Sequence, residues 1–220
     1  MTIALIPVKK LEESKSRLLP ELADASRQAL TLAMLEDLIE ALTRAGCIDR
    51  IAVTTPDPQV ASRARAAGAE VLLRPEPGLN AALGDAAERI CPSKAEALLI
   101  VLGDVAGALP ADFRRLVALA GDAKTGVWLA PSADGGTSAL LLRPARAIPF
   151  RFGPASAAGH REAALEARVD YHEVVLASLA IDLDQPEDLT AFLATSGGGA
   201  RTRALLESLR TANPPERSAP

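Results

Sequence analysis

"TIALIPVKKLEESKSRL", residues 2–18, is the stretch on which the reading of the whole chain turns. Its first part, "TIALIPV", is an apolar run of the length and composition of a buried strand. It passes directly into a loop with four cations, Lys9, Lys10, Lys15 and Arg17. Helical spacing follows in "RQALTLAMLEDLIEALTRAG", which stops at Gly46, a residue that ends helices at little conformational cost. A strand, a basic loop and a long helix in that order predict an α/β fold. The cations stand out because the chain of 220 residues has a formal net charge of -4.

The same alternation continues outward. "IDRIAVTT" predicts a strand, "QVASRARAAG" a short helix, "AEVLLR" a strand and "LNAALGDAAERI" a helix. "AEALLIVLGD" is a strongly apolar strand ending in a glycine and an acid, and "ADFRRLVALAG" is a helix. "TGVWLAP" and "TSALLLRP" are strands with no helix between them. "ASAAGHREAALEAR" is helical, "DYHEVVL" a strand, and "QPEDLTAFLAT" a helix with Pro186 in its first turn. Nearly all-apolar strands separated by helices predict a mainly parallel sheet covered on both faces. The adjacent "WLAP" and "ALLLRP" strands predict a small antiparallel portion near one edge. "SGGGA" precedes a last helix, "RTRALLESLR". Residues 1–210 are expected to form one domain and 211–220, polar and proline-rich, a disordered tail.

Composition removes several function classes. The acidic balance argues against a general nucleic-acid surface, and 3% aromatic content against base-stacking modules. No apolar run is long enough to span a membrane, and the amino terminus lacks a signal-peptide layout, so a cytoplasmic protein is expected. Cys47 and Cys91 have no metal-ligand spacing and read as reduced thiols. His160 and His172 lie beside no nucleophile pattern and read as structural.

In an open sheet of this kind ligands bind beyond the carboxyl ends of the strands, so the loops there carry the site. The first loop contains no glycine and is neither a Walker loop nor a dinucleotide fingerprint. Its cations either hold a triphosphate beside a helix amino terminus or form a solvated basic loop paired with Glu12 and Glu13. Asp104, at the end of "LLIVLGD", either binds a metal or caps a turn. Asp182 and Asp184 in "IDLDQPEDL" point to one side of an extended segment and repel unless a cation lies between them, with Mg²⁺ the fitting ion. Asp184 could instead cap the helix that begins at Pro186. "DGGTS" could hold an anion on its N–H groups, and "FGPAS" places Gly153 and Ser156 at a helix head suited to an anion.

Taken together and in order, "IPVKKLEESKSRL", "LAMLEDLIEAL", "TTPDP", "GLNAAL", "GDVAGALP", "DGGTSALLLRP", "FGPAS…H" and "IDLDQPEDL" resemble the 2-phospho-L-lactate and phosphoenolpyruvate guanylyltransferases of deazaflavin (coenzyme F-420) biosynthesis. The resemblance spans roughly residues 1–194. It implies a Rossmann-like nucleotidyltransferase fold of the GT-A type. It implies transfer of GMP from GTP to a small phosphorylated carboxylic acid (phosphoenolpyruvate, 2-phospho-L-lactate or 3-phosphoglycerate) with release of pyrophosphate. It implies that Lys9, Lys15 and Arg17 hold the GTP phosphates and serve catalysis, and that Asn80 lies near the nucleotide. It implies that Asp104, Asp182 and Asp184 hold Mg²⁺, that Thr137, Gly153 and Ser156 hold the acceptor, and it is compatible with a homodimer. The chain departs from the family pattern at "GDVAG", at Ser138 and at Ala157. Two rivals stand beside this reading. One is a nucleotidyltransferase for a sugar phosphate or molybdenum cofactor, but its "GGxSxRMG"-like first loop is absent. The other is a nucleotide-binding protein that has lost the reaction.

Overall fold

A computed structural model describes residues 1–18, 22–75, 78–92, 96–180 and 182–212. Strand β1 (Thr2–Pro7) leads through two short 3-10 turns, Leu11–Glu13 and Ser16–Leu18, to helix α1 (Asp24–Ala45). Gly46 ends α1 in the left-handed conformation, at φ 69°. There follow β2 (Arg50–Thr55), α2 (Pro58–Ala66), β3 (Glu70–Leu73), α3 (Leu79–Ile90), β4 (Ala97–Val101) and α4 (Pro110–Ala120). The chain continues with β5 (Gly126–Pro131), β6 (Thr137–Arg143), α5 (Ser156–Ala167), β7 (Tyr171–Glu173), α6 (Pro186–Ala194) and α7 (Ala200–Ala212). Helix α2 starts where the sequence signals it: Pro58 occupies the first turn and the Asp57 carboxylate accepts the N–H groups of Gln59 and Val60.

The seven strands form one sheet in the order β3-β2-β1-β4-β6-β5-β7. All pairs are parallel except β4 with β6 and β5 with β6, so β6 alone runs against its neighbours. The antiparallel portion expected from two strands without a helix between them is this β5–β6 hairpin. Strand β7 has three residues rather than the seven of "DYHEVVL", because the chain turns away after Val174 into a 3-10 turn at Ala177–Leu179.

Alternation along the central strands divides the core. Ala4 and Ile6 of β1 and Leu99 and Val101 of β4 pack with α1, α2 and α4 on one face. Ile3 and Leu5 with Leu98 and Ile100 pack against α3 and α5 on the other. A third cluster, Leu18, Leu30, Met34, Ala106, Leu183, Phe192 and Leu206, ties the first loop to α1, α6 and α7. Helix α7 runs to Ala212, two residues into the stretch assigned to the tail; 213–220 lie outside the described residues. It is docked by Asp37, whose carboxylate accepts the Arg201 and Thr202 N–H groups and the Thr202 hydroxyl. No described helix is long and apolar enough to cross a membrane. Cys47 and Cys91 are free thiols.

The strand order reverses direction between β1 and β4, which opens a crevice at their carboxyl ends. The first loop and Asp104 face each other across it.

Candidate active site

The crevice holds a cavity of about 250 Å³. Its walls come from the end of β1 and the first loop, the end of β2, the start of α3, and the turn after β4. Lys9, Lys15, Asp104 and Asp184 line it, with Thr54, Thr55, Pro56 and Leu79 supplying a less polar wall.

Apolar anchors fix the first loop. Leu11 and Leu18 are buried, and the Leu11 N–H donates to the Asp57 carboxylate at 3.0 Å. Arg27 of α1 is buried too, and its guanidinium donates to the Ser14 carbonyl and to Asp24. Held this way, Lys15 takes a left-handed conformation at φ 55° and is only 7% exposed. Such a backbone costs a non-glycine residue about 1–2 kcal/mol, so its neighbours have to hold it in place. Lys15 Nζ lies 3.1 Å from Asp184 Oδ1 and 3.8 Å from Asp104 Oδ2. Arg17 Nη1 lies 3.6 Å from Asp184 Oδ2, yet its side chain is 70% exposed. Among the described residues the ion pairs of this loop run to those two acids, not to Glu12 or Glu13. Lys9 is exposed at the rim.

Backbone contacts bring the acids together. Val105 and Asp182 form an isolated antiparallel bridge, and the Leu183 N–H donates to the Asp104 carbonyl. The "GDVAG" segment is also closely packed at its far end. A β-carbon on Gly107 would meet the Ser178 carbonyl at 2.7 Å, and one on Gly198 would meet the Gly107 carbonyl at 2.1 Å. Asp182 is largely buried; its desolvation, and secondly the charge of Asp104, push its carboxyl up to about 8, against the opposing pull of Lys15. Asp104 Oδ1 and Asp182 Oδ1 are buried and accept no hydrogen bond. Two orphaned carboxylate oxygens on segments joined by that bridge fit a divalent cation, since an unpaired buried charge is otherwise costly. Asp184 is turned onto Lys15 and Arg17 instead. Among the described residues no three acidic, histidine or cysteine side chains form a ligand cluster. Nor does Asp184 cap α6: Asp188 accepts the N–H groups of Asp184 and Gln185.

Thr137, Gly153 and Ser156 come together at the head of α5. The Ser156 N–H donates to the Gly153 carbonyl, and Ser156 Oγ lies 2.9 Å from Thr137 Oγ1. The "DGGTS" turn is closed on itself. The Gly135 N–H donates to the Ser132 carbonyl, the Gly136 N–H to Asp134, and the Ser132 hydroxyl to Asp134 as well. Those N–H groups are therefore committed within the turn, and Thr137 is the group the turn delivers. Ser138 is fully buried with an orphaned hydroxyl. Asn80 spends both ends of its amide on Phe152, accepting its N–H at 2.8 Å and donating to its carbonyl at 2.9 Å. It braces the start of α3, whose neighbours Leu79 and Ala82 line the cleft.

Three residues here have no functional assignment from the sequence. Arg27 lies on the apolar stripe of α1 with Met34 and Leu38, and a cation at such a spacing was its signal. Arg74, which pairs with Asp85, closes "AEVLLR" at the same edge of the sheet and lines the cleft. His160 reads as structural from sequence, yet its ring lies 3.2 Å from Thr137 Oγ1. His172 stacks on Trp128, away from the cleft.

Comparison with known proteins relates the fold and the sequence to a lineage. The fold is similar to that of a nucleotidyl transferase from Methanothermobacter (TM-score 0.65, 18% identity, 89% of this chain and 99% of that one). It is also similar to that of 4-diphosphocytidyl-2C-methyl-D-erythritol synthase (TM-score 0.61, 15% identity, 93% and 97%). By sequence the chain is 42% identical to the phosphoenolpyruvate guanylyltransferase of Rubrobacter xylanophilus over 91% of its own length and 97% of that protein. It is 36% identical to the 3-phospho-D-glycerate guanylyltransferase of Phenylobacterium zucineum over 96% and 98%. With a family model described as "Guanylyl transferase CofC like" matching residues 2–220, the chain belongs to the CofC-like guanylyl transferase family.

Proposed function

We propose that the chain transfers GMP from GTP to the phosphate of a small phosphorylated carboxylic acid, in deazaflavin coenzyme biosynthesis. Phosphoenolpyruvate, 2-phospho-L-lactate and 3-phosphoglycerate are the candidate acceptors. The observation that carries this reading is a buried Lys15 at the cleft, held by Asp104 and Asp184, in a chain that also forms a neutral Thr137–Ser156 pair at the head of α5. The first suits a triphosphate, the second a smaller anion.

In this reading the acceptor phosphate brings its own nucleophilic oxygen, so no side chain has to act as general base. That oxygen attacks the α-phosphorus of GTP. A new P–O bond forms, the bond from the α-phosphorus to the bridging oxygen breaks, and pyrophosphate leaves with the electron pair. The work of the chain is alignment and charge compensation. Lys9, Lys15 and Arg17 bind the triphosphate and offset charge moving toward pyrophosphate. Asp104 and Asp182 would hold Mg²⁺ through their free oxygens, with Asp184 as the third carboxylate once phosphate draws Lys15 and Arg17 away. Mg²⁺ there supplies further neutralisation of the phosphate oxygens. Thr137, Gly153 and Ser156 seat the acceptor.

The test is pyrophosphate release with each of the three acids, using GTP and ATP in parallel with Mg²⁺. Release with GTP and one or more acids is expected, and little with ATP. Equal or better release with ATP removes the guanine assignment. Release with a sugar phosphate, and none with the three acids, supports the rival acceptor class.

A further inference from the structure

His160 is fully buried in the second turn of α5 and belongs to none of the groups that the proposed reaction uses. Its surroundings decide where its protons lie. The Arg151 backbone N–H points at Nε2 from 3.0 Å, and a backbone N–H can only donate, so Nε2 carries the lone pair. A neutral ring then has its one proton on Nδ1. That nitrogen faces an oxygen, Thr137 Oγ1, at 3.2 Å. Burial, with a smaller contribution from the Arg151 charge, holds the imidazole down at about 4, so the ring is neutral across ordinary working conditions.

The tautomer controls what the Thr137–Ser156 pair can offer. His160, Thr137 and Ser156 make two side-chain contacts in a row. If Nδ1 donates, those contacts consume the imidazole proton and one hydroxyl proton. The other hydroxyl proton is left unspent by the trio. If Nε2 carried the proton instead, Nδ1 would accept from Thr137, Thr137 would accept from Ser156, and both hydroxyl protons would be spent inside the trio. Only the first arrangement gives the head of α5 a hydroxyl donor for an anion.

The framework fixes the first arrangement from both sides. The Arg151 side chain grips α5 through Glu162 and Glu166, which holds its backbone N–H over the ring. The next residue, Phe152, meets the imidazole edge-to-face at 4.8 Å and is itself clasped by Asn80. Gly153 follows at once. A single buried ring thus sets both the polarity of Thr137 and the position of the segment entering Gly153.

We infer that His160 is a positioning residue for the acceptor half of the site: the Arg151 N–H locks it as the Nδ1–H tautomer, and through that lock the Thr137–Ser156 pair presents a hydroxyl donor to the acceptor's anionic group. The acceptor in this statement rests on the reading under Proposed function; the tautomer does not.

Two measurements test it. The chain has two histidines, so ¹⁵N-histidine spectra are readily assigned, with His172→Gln identifying the other ring. A fixed Nδ1–H pattern for His160 is expected, and an Nε2–H ring or one that averages between tautomers overturns the inference. The second measurement is the acceptor KM, with phosphoenolpyruvate and GTP, for His160→Phe, His160→Asn, Thr137→Val and the double variants. His160→Phe keeps the ring shape and is expected to raise the acceptor KM about tenfold while the GTP KM stays put. His160→Asn keeps a donor in the Nδ1 position and should restore part of that loss. In the Thr137→Val background either change should add less than about twofold, because the hydroxyl it acts through is gone. Fully additive effects, or equal losses in acceptor and GTP KM, assign His160 a structural role only and overturn the inference. Should His160→Phe not fold, His160→Asn with Thr137→Val gives the same comparison. A wild type that transfers GMP to none of the three acids defeats the reading of the site, while the spectra still decide the tautomer.

Discussion

At the cleft a strained cationic loop holds Lys15 and Arg17 against Asp104 and Asp184. Around the head of α5, Asn80, His160, Thr137 and Ser156 make their contacts with one another and with the backbone at Arg151 and Phe152 through neutral groups alone. The difference follows from the ligands each side suits. In the proposed reading a triphosphate carries several charges and is met by charge, which Lys15 and Arg17 supply beside Asp104 and Asp184. A small acceptor differs from its analogues by one group, and discrimination on that scale comes from fixed hydrogen-bond donors whose partners, if missing, leave a buried group unpaired. The charged side is therefore expected to respond to substitution in turnover and nucleotide affinity, and the neutral side in stability and acceptor affinity.

The largest effect should come from the charged side. Asp104→Asn and Asp182→Asn are each expected to lower turnover by orders of magnitude with the fold intact, since each removes charge from the orphaned pair. Pyrophosphate release at saturating substrates, with circular dichroism as the control for folding, measures this. A near-normal rate in either variant takes that acid out of the site.

Arg17→Ala comes next. A mostly exposed guanidinium that served only its surface ion pair would contribute about 0–1 kcal/mol. One that grips a triphosphate contributes about 1.5–3 kcal/mol, so GTP affinity should fall roughly ten- to a hundredfold. Arg17→Lys should recover part, because lysine keeps the charge but not the fork. The GTP-induced melting shift should shrink in the same order, and identical shifts in all three proteins would return the loop to a solvated surface.

Asn80→Ala sharpens the contrast from the neutral side. It leaves the Phe152 N–H and carbonyl without their partners. The expected cost is about 1–3 kcal/mol of stability, and each kcal/mol corresponds to about 2–4 °C in a chain of this size. The preference for GTP over ATP should be unchanged. A variant that melts like wild type but accepts ATP would make Asn80 a base-reading residue.

The smallest effect concerns pH in the ligand-free protein. Asp182 releases its proton at about 8 in the folded chain, against an ordinary 3.8. Between those values the folded chain holds a proton that the unfolded chain has lost, so this group lowers stability as pH rises from about 4 to about 8. Asp182→Asn removes the penalty. Its melting temperature relative to wild type should therefore climb as pH rises through that window, and a flat or falling difference would show that the carboxyl is not desolvated.

Much of the fold is legible in the sequence because period and punctuation are local properties. Leu79–Ile90 is helical with the bounds its pattern predicts, and Gly46 and Pro58 stand where one helix stops and another starts. The two strands without a helix between them are the hairpin that makes β6 antiparallel. The alternation of strand and helix directs attention to the carboxyl edge of the sheet, and the loops there together with the family resemblance make Lys15, Asp104, Asp182 and Asp184 candidates for the site. What each polar group does there depends on partners far along the chain. Asp184 is a capping candidate by sequence, and it is Asp188 whose carboxylate accepts the N–H groups at the start of α6. Asn80 was a candidate for the nucleotide, and its amide is taken by a residue 72 positions away. His160 has no partner within its own sequence pattern; its two ring nitrogens acquire theirs when β6, the segment at Arg151 and α5 pack together. Hydrophobic periodicity is written in neighbouring residues and survives as sequence, whereas the ownership of a buried proton is decided only where distant segments meet and exclude water.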